Sequence, residues 1–343
     1  MPTSETRLAI DLTGGLIRVV DGAMGGPMRC GSGGTPAGSL VDGKVVDPAA
    51  VASALRQLLA RTEIEETRAL IAASDAVATF RVLKLPPASS NHDVDGAIAR
   101  ELPLDPEKMS TQWMDVPSRD DARVVYAASW DRSLVKAIAE VAKLAGLDPV
   151  AVDLKSACIA RAVAEPACVL VDVTSSPAEI VLIDGSVPQV WHTFRLDVSA
   201  GNDFGAPLIR PLATVLRFYE RRRDTAFEPS APILIAGEQA LASRATAALS
   251  ERLEHPVLHL PLPARVPADI RYTTYLACLG LLMRREDQSK DRRLGTQERR
   301  RPLVEANLTG DSKTRSSWPP RGRLPSAKKV PGALTRFLGR RPT

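Results

Sequence analysis

The sequence predicts an α/β protein of two related lobes, each built on a β-hairpin whose first strand ends in an aspartate. Near the start, Leu8-Ala9-Ile10-Asp11 is an apolar run ending on an acid; Thr13, Gly14 and Gly15 turn the chain, and Leu16-Ile17-Arg18-Val19-Val20 returns. In mid-chain the pattern recurs: Val169-Leu170-Val171-Asp172, then a turn through Thr174, Ser175 and Ser176, then Glu179-Ile180-Val181-Leu182-Ile183. Between the two lie alternating strand and helix patterns. Each is a strand, a tight turn and a returning strand. Glycine lets backbone N–H groups approach an anion with no Cβ in the way, so such turns suit a phosphate. Two of them about a domain apart suggest two lobes facing each other across a cleft. Asp and Gly are also ordinary turn residues, and two plain hairpins would read the same.

Taken in order, the first hairpin is followed by a glycine-rich connector, residues 22–43, which reads as a flexible loop because no helix pattern follows its glycines. Asp47-Pro48 opens a helix, with Asp as N-cap and Pro in the first turn, and Val51, Leu55, Leu58 and Leu59 mark its buried stripe. Residues 69–73 are a short buried strand, and 80–85 alternate as a strand stopped by Pro86-Pro87. Asn91 can cap a helix carrying Val94, Ala97, Ile98 and Leu102. Residues 112–116 and 123–128 read as strands. Trp130-Asp131 opens a helix ending at Gly146, residues 150–153 form a further strand, and 156–163 a helix. After the second hairpin come a strand at 190–196, a helix around 212–219, a strand at 233–236 turning at Gly237, and helices at 241–253 and 270–284.

At 343 residues about two domains are expected. Aromatics make up only 4%, so the core must be aliphatic. Cys30, Cys158, Cys168 and Cys278 are scattered, as are the four histidines, so neither a disulfide framework nor a metal site is expected. His92, His192, His255 and His259 lie in unrelated contexts, and Ser175 and Ser176 lack nucleophile-elbow glycines, so no catalytic residue is assigned. The start carries no apolar signal region and no run is long enough to span a bilayer, which points to a soluble cytoplasmic chain. The net charge of +5 hides an asymmetry. From Arg284 onward there are 17 Lys+Arg against 6 Asp+Glu; residues 1–283 hold 28 against 34. The body is acidic and the tail basic, so the charge is no argument for nucleic-acid binding by the folded part. Residues 286–343 have the composition of disorder. Near their end Leu334, Phe337 and Leu338 share a helical face, a pattern that suits an anionic membrane surface or a partner as well as a solvated tail.

Six stretches, in order, carry a more specific likeness: Ile10-Asp11-Leu12-Thr13-Gly14; Leu40-Val41-Asp42-Gly43-Lys44-Val45-Val46-Asp47; Val82-Leu83-Lys84-Leu85-Pro86; Ala97-Ile98-Ala99-Arg100-Glu101-Leu102-Pro103; Val125-Tyr126-Ala127-Ala128-Ser129; and Ala145-Gly146-Leu147-Asp148-Pro149-Val150-Ala151-Val152-Asp153. From about Leu8 to Leu282 the chain resembles the PilM family, actin-like proteins of type IV pilus assembly related to FtsA. The resemblance implies a two-lobed actin-like (ribonuclease H-like) fold with a small α/β subdomain inserted in the first lobe. The expected boundaries are 7–165 for the first lobe with the insert at about 40–155, 166–285 for the second, and 286–343 for the tail. The second lobe reads as reduced, because the family's helices before Leu212 are missing.

The resemblance also implies ATP with Mg, held by Asp11, Thr13, Gly14, Gly15, Asp172, Thr174, Ser175 and Gly237. The chain departs from the pattern there. Thr13 and Thr174 stand where the family has glycine, the second turn has no glycine, and Gly237 is followed by Glu238. A Cβ at a point of close approach obstructs a phosphate. The site therefore reads as degraded. The function expected is a scaffold at the inner face of the cell membrane, docking the N-terminal cytoplasmic peptide of a PilN-like bitopic membrane protein. The implied groove lies beside the insert, at Val82, Leu83, Leu85, Ile98 and Leu102. Self-association is a further option. The alternative is an active actin-like ATPase driving pilus or cell-division assembly, and the glycine losses argue against it.

Overall fold

The computed structural model describes residues 7–102, 105, 107–118, 121–163, 165–173, 177–196, 206–237, 239–263, 265–284 and 292–293. All fall within one unit, Met1–Arg300. The expectations for Thr174, Ser175, Glu238 and nearly all of the tail lie outside the described residues.

β1 (Arg7–Asp11), β2 (Leu16–Gly22) and β3 (Met28–Gly34) run as an antiparallel meander, followed by a small ribbon of β4 (Leu40–Val41) and β5 (Lys44–Val45). α1 (Pro48–Arg61) begins where Asp47 accepts the Ala50 N–H at 2.9 Å and Pro48 supplies a first-turn residue needing no N–H partner. Next come β6 (Arg68–Ala73), a one-turn 3-10 helix at Asp75–Val77, and β7 (Ala78–Leu85). α2 (Asn91–Glu101) is capped by Ser90 rather than Asn91, because Asp93 completes a capping box with it. β8 (Met109–Val116), β9 (Arg123–Asp131), α3 (Arg132–Leu144, capped by Asp131), β10 (Asp148–Leu154) and α4 (Lys155–Ala162) complete the first half. The second half runs β11 (Ala167–Asp172), β12 (Ala178–Asp184), β13 (Val187–Phe194), α5 (Ala206–Arg223), β14 (Ile233–Ala236), α6 (Gln239–Ser250), β15 (Val257–His259), α7 (Leu276–Leu282) and β16 (Arg292–Arg293).

The two halves repeat one topology. The first sheet has the order β3-β2-β1-β6-β10 and the second β13-β12-β11-β14-β15. In each, three antiparallel strands continue into two parallel ones. The repeat holds to the residue: Leu12 N–H donates to Ala72 and Val173 N–H to Ala236, each just after the aspartate of its lobe.

Both faces of each sheet are covered, so the central strands read as unbroken apolar runs. Leu8 and Ile10 pack against Val51, Leu55 and Ile138 on one face, while Ala9, Leu70 and Ala72 pack against α7 on the other. Val169 and Val171 pack against Leu208, Leu212 and Val215 of α5. Leu170 and Val181 turn toward Ile159 of α4 and Leu276 of α7. Each buried Leu or Ile contributes about 1.5–3 kcal/mol. Helices α4 and α7 thus lie between the two sheets, and they touch backbone to backbone. A Cβ on Gly280 would sit 1.8 Å from the Cys158 carbonyl oxygen.

The third sheet, in the order β16-β8-β9-β7, is the insert, with α2 on one face. It is narrower than the expected 40–155. β6 and β10 pair in parallel with the first sheet, and α1 and α3 pack on it, so only residues 78–131 stand outside. Two local readings also change. Part of the glycine-rich connector is β3, and its glycines make room: a Cβ on Gly31 would meet Thr62 Cγ2 at 2.3 Å. The last helix is shorter than 270–284, because Tyr272 and Tyr275 close tight turns before it. In the second lobe, α5 leads into β14 with only turns and loop between.

Because the α4–α7 contact has no space for a methyl group, Gly280→Ala must force the helices apart. Overpacking of this kind costs about 3 kcal/mol. Urea unfolding should show that loss, and an unchanged midpoint would mean the crossing is looser than its geometry.

Candidate functional site

The two aspartates sit at equivalent ends of β1 and β11, and each faces a residue seven positions later across its hairpin: Asp11 opposite Arg18, Asp172 opposite Glu179. All four are buried. Asp11 is committed to its own hairpin. One carboxylate oxygen accepts the Thr13 N–H at 3.0 Å and the Thr13 hydroxyl at 2.5 Å; the other accepts Arg18 Nη1 at 3.3 Å. Two other nitrogens of that guanidinium, Nε and Nη2, have no hydrogen-bond partner among the described residues.

Between the hairpins stands Lys155, the first residue of α4, 4% exposed. Its ammonium lies 2.8 Å from Glu179 and 3.9 Å from Asp172. Burial works against that charge, but Glu179, Asp11 and Asp172 outweigh it and raise the Lys155 pKa. Burial also raises the Glu179 pKa, against the pull of Lys155. Asp11 and Asp172 therefore share one buried polar cluster, joined through a lysine that the sequence reading did not single out. The equal seven-residue offset marks Arg18 and Glu179 as counterparts, but nothing in the sequence around Lys155 points to it. The cluster holds three carboxylates and two cations, so most of its charge is compensated from within. Among the described residues, no group of His, Cys, Asp and Glu side chains is arranged to hold a metal ion.

The turn at Gly14 and Gly15 is open: a Cβ on either meets nothing within 4 Å. Thr35 fixes its carbonyls, donating its hydroxyl to Gly14 at 2.8 Å and its N–H to Gly15 at 3.0 Å. Gly237 lies in the second lobe, where its carbonyl accepts the Thr273 hydroxyl at 3.2 Å. It borders a cavity of about 620 Å³ lined also by Ser243, His259, Arg271, Tyr272 and Thr274, a size that suits a nucleoside. The residues present thus offer a base-sized cavity, while the acids that would serve Mg²⁺ are engaged with Arg18 and Lys155.

Of the residues expected to line a partner groove, Leu83, Leu85, Ile98 and Leu102 are buried and Val82 is half-buried. Leu83, Leu85, Ile98 and Leu102 come together with Val94, Trp113 and Val125 as the core beneath α2. Strand alternation explains this: Leu83 and Leu85 point to the helix, whereas Val82 lies on the other face. The groove beside β7, of about 600 Å³, is lined by Val82, Leu83 and Leu85 of the expected set, together with the charged Lys84, Arg100, Glu101, Arg222 and Arg223.

The opposite face of the insert carries the apolar cleft. Met114, Tyr126, Ala128 and Trp130 face Ala73, Val77, Val152 and Leu154 of the first lobe around a cavity of about 90 Å³. At its edge Asp153 binds Arg161 and Arg284, each at 2.6 Å. Burial opposes ionisation of Asp153, but the two arginines hold its carboxyl below the ordinary range. The Tyr126 hydroxyl is buried with no hydrogen-bond partner among the described residues, and burial raises its pKa. Close by, Asp75 accepts the Ser156 N–H at 2.9 Å and the Ser156 hydroxyl. Burial outweighs these bonds and raises its pKa to about 7.

Two measurements follow from this cluster. Lys155→Met leaves Glu179 buried and uncompensated, a loss of about 3–5 kcal/mol in urea unfolding, and Lys155→Met with Glu179→Leu should recover most of it. For Asp75 the folded pKa exceeds the unfolded value, so the folded state binds the proton more tightly. Its contribution is fully present below about pH 4 and is lost as pH rises toward 7, by up to about 4 kcal/mol. Asp75→Asn should flatten that part of the stability–pH curve; an unchanged slope would place the titration elsewhere.

No protein-family model matches the sequence, and no curated protein does. Among solved structures the chain is similar to the PilM-PilN type IV pilus biogenesis complex, at 17% identity and a TM-score of 0.63, over 82% of this chain and 98% of that one. It is also similar to the ethanolamine utilization protein EutJ from Carboxydothermus hydrogenoformans (16%, TM-score 0.47, 82% of this chain, 90% of that one). A third is the cytoplasmic domain of EpsL, an inner membrane component of the type II secretion system of Vibrio cholerae (10%, TM-score 0.45, 82% and 96%). At these identities the likeness is one of fold: the chain has a two-lobed actin-like fold with a small α/β insert in its first lobe, similar in architecture to the PilM-PilN complex structure.

Proposed function

We propose that the chain is a scaffold at the inner face of a cell membrane, which docks the N-terminal cytoplasmic peptide of a PilN-like bitopic membrane protein. The observation that carries the reading is the apolar cleft between the insert and the first lobe, with the buried Tyr126 hydroxyl, which has no partner among the described residues, in its wall. Such a hydroxyl is stabilised by a ligand that brings a hydrogen-bond partner. The cavity has room for a small apolar side chain, and the Asp153–Arg161–Arg284 cluster supplies polar anchors at its edge. No helix among the described residues is long and apolar enough to cross a membrane. In this reading the membrane partner supplies the anchor, and the basic tail adds attraction to an anionic leaflet of about 1 kcal/mol for each Lys or Arg near the surface.

The second reading is an ATPase, favoured by the fold and by the cavity at Gly237. ATP with Mg would be held by Asp11, Thr13, Gly14, Gly15, Asp172, Thr174, Ser175 and Gly237. Against it stand Thr13, folded back on Asp11, and the internal compensation of the acids by Arg18 and Lys155. A metal–phosphate group must displace those contacts before the acids can serve it.

The readings separate by experiment. Met114→Arg places a charge in the apolar cleft and should weaken binding of a PilN-like N-terminal peptide at least tenfold, with circular dichroism unchanged. Calorimetry with Mg-ATP should show little or no heat. A dissociation constant in the low micromolar range would put the ATPase reading first, as would peptide binding that Met114→Arg leaves intact but Asp11→Ala with Asp172→Ala abolishes in a folded protein.

A further inference from the structure

The groove of about 600 Å³ beside β7 is lined by the consecutive residues 82–86, by the last turn of α2 and by the end of α5. Side chains along a strand alternate between its faces: Leu83 and Leu85 turn under α2, and Val82 lies on the other face. A groove lined by all of them follows the edge of the strand rather than a face. β7 is the last strand of its sheet, and no strand pairs with its outer side among the described residues. Such an edge presents N–H and C=O groups that an extended segment can pair. Pro86 and Pro87 have no N–H, so a paired segment stops at Leu85.

The groove has the opposite charge to the body around it. Residues 1–283 carry 28 Lys+Arg against 34 Asp+Glu. In the groove, Lys84, Arg100, Arg222 and Arg223 stand against one lining acid, Glu101. Asp184 approaches Arg223 at 3.9 Å and also accepts the Tyr219 hydroxyl at 2.7 Å, so it offsets one of these cations in part. Arg81 adds a further positive charge near Arg222. Partial burial, Arg81 and Arg223 lower the Arg222 pKa against the pull of Glu101, so the cations crowd one another. A carboxylate entering the groove relieves that repulsion. The same charge disfavours the chain's own basic tail as the occupant, since it holds 17 Lys+Arg against 6 Asp+Glu from Arg284 onward.

We propose that the β7 edge is a docking site for an acidic peptide of a partner protein, which adds to the insert's sheet as an extended strand and sets its carboxylates against Arg100, Arg222 and Arg223. Main-chain pairing holds the peptide, and the arginines select its charge. Asp or Glu at alternate positions puts the carboxylates on one side of the added strand. The proposal does not rest on the PilN-like reading, because the apolar cleft at Met114 lies on the opposite face of the insert.

The test uses the full chain and a short synthetic peptide of alternating glutamate and threonine. The peptide should bind, and it should slow hydrogen exchange at least tenfold for the β7 amides that point away from β9. Added salt should weaken the binding by screening. Arg100→Glu with Arg222→Glu, both at exposed positions, should weaken it at least tenfold with circular dichroism unchanged, whereas Met114→Arg should leave it as it is. Absence of binding, binding that the double variant leaves intact, or equal binding of a lysine–threonine peptide overturns the proposal. Binding without protection of β7 shows a contact of side chains alone and overturns strand addition. Equal competition by a single-stranded oligonucleotide assigns the groove to nucleic acid and overturns the peptide. Protection of β7 that grows with protein concentration without peptide, together with a dimer in sedimentation, shows that a second copy pairs with the edge and overturns a separate partner.

Discussion

An ammonium group shut away from water joins the two halves of this molecule. Lys155 opens α4, the helix that follows the first sheet, and its charge is met by acids of both hairpins. A buried charge without partners costs several kcal/mol, so the hairpins must stay close enough to supply them. The constraint runs both ways. Glu179 and Asp172 are tolerable in the interior because Lys155 is there, and Asp11 is tolerable because Arg18 crosses its hairpin to meet it. The cleft floor is thus a charge-compensated joint before any ligand arrives.

The joint differs between two otherwise matching lobes. The sheets repeat in strand order and in register, yet the position opposite the aspartate is a cation in one and an anion in the other. That single difference demands a further cation, which Lys155 provides. Duplicated architecture alone would place two acids and two glycine-bearing turns across an open cleft, a geometry suited to a metal–phosphate group. Here the first turn folds its own threonine onto the acid, and the lysine lies between the hairpins. Thr13 bonded to Asp11 and the internal cations point the same way, although they are separate features of the sequence.

Much of the scaffold was legible from local chemistry. Asp47-Pro48 and Asp131 announce helix starts because their side chains satisfy the first free N–H groups, and the apolar runs at residues 8–10 and 169–171 announce strands covered on both sides. What local chemistry hides is non-local. β6 and β10 look like parts of an insert until their parallel pairing with β1 and with each other is known. The glycines of β3 look flexible until α1 is laid against them, when Gly31 proves to be where Thr62 needs room. The site divides the same way. Asp11 and Asp172 stand out because the pattern repeats, whereas Lys155 has no motif around it. The apolar residues of β7 and α2 could not be sorted into core and surface without knowing which face the helix covers.

The insert then has an order of its own. One face is covered by α2, with Ile98 and Val94 fully buried. The other is only partly covered, by Leu154 and Val187 and by the first lobe around the cleft at Tyr126. Its two edges differ as well, β7 being bordered by charged side chains and β8 by an apolar cleft and a strand from the chain's far end. A small sheet with one covered face has only its other face and its edges left for recognition. In this molecule the apolar face and the strand-bearing edge meet at Trp113 and Met114, next to a tyrosine hydroxyl that lacks a hydrogen-bond partner among the described residues. Recognition of a peptide there needs nothing from the acids of the two hairpins, whose charges are balanced by Arg18 and Lys155. The two parts of the fold are physically separable, since they share none of these residues.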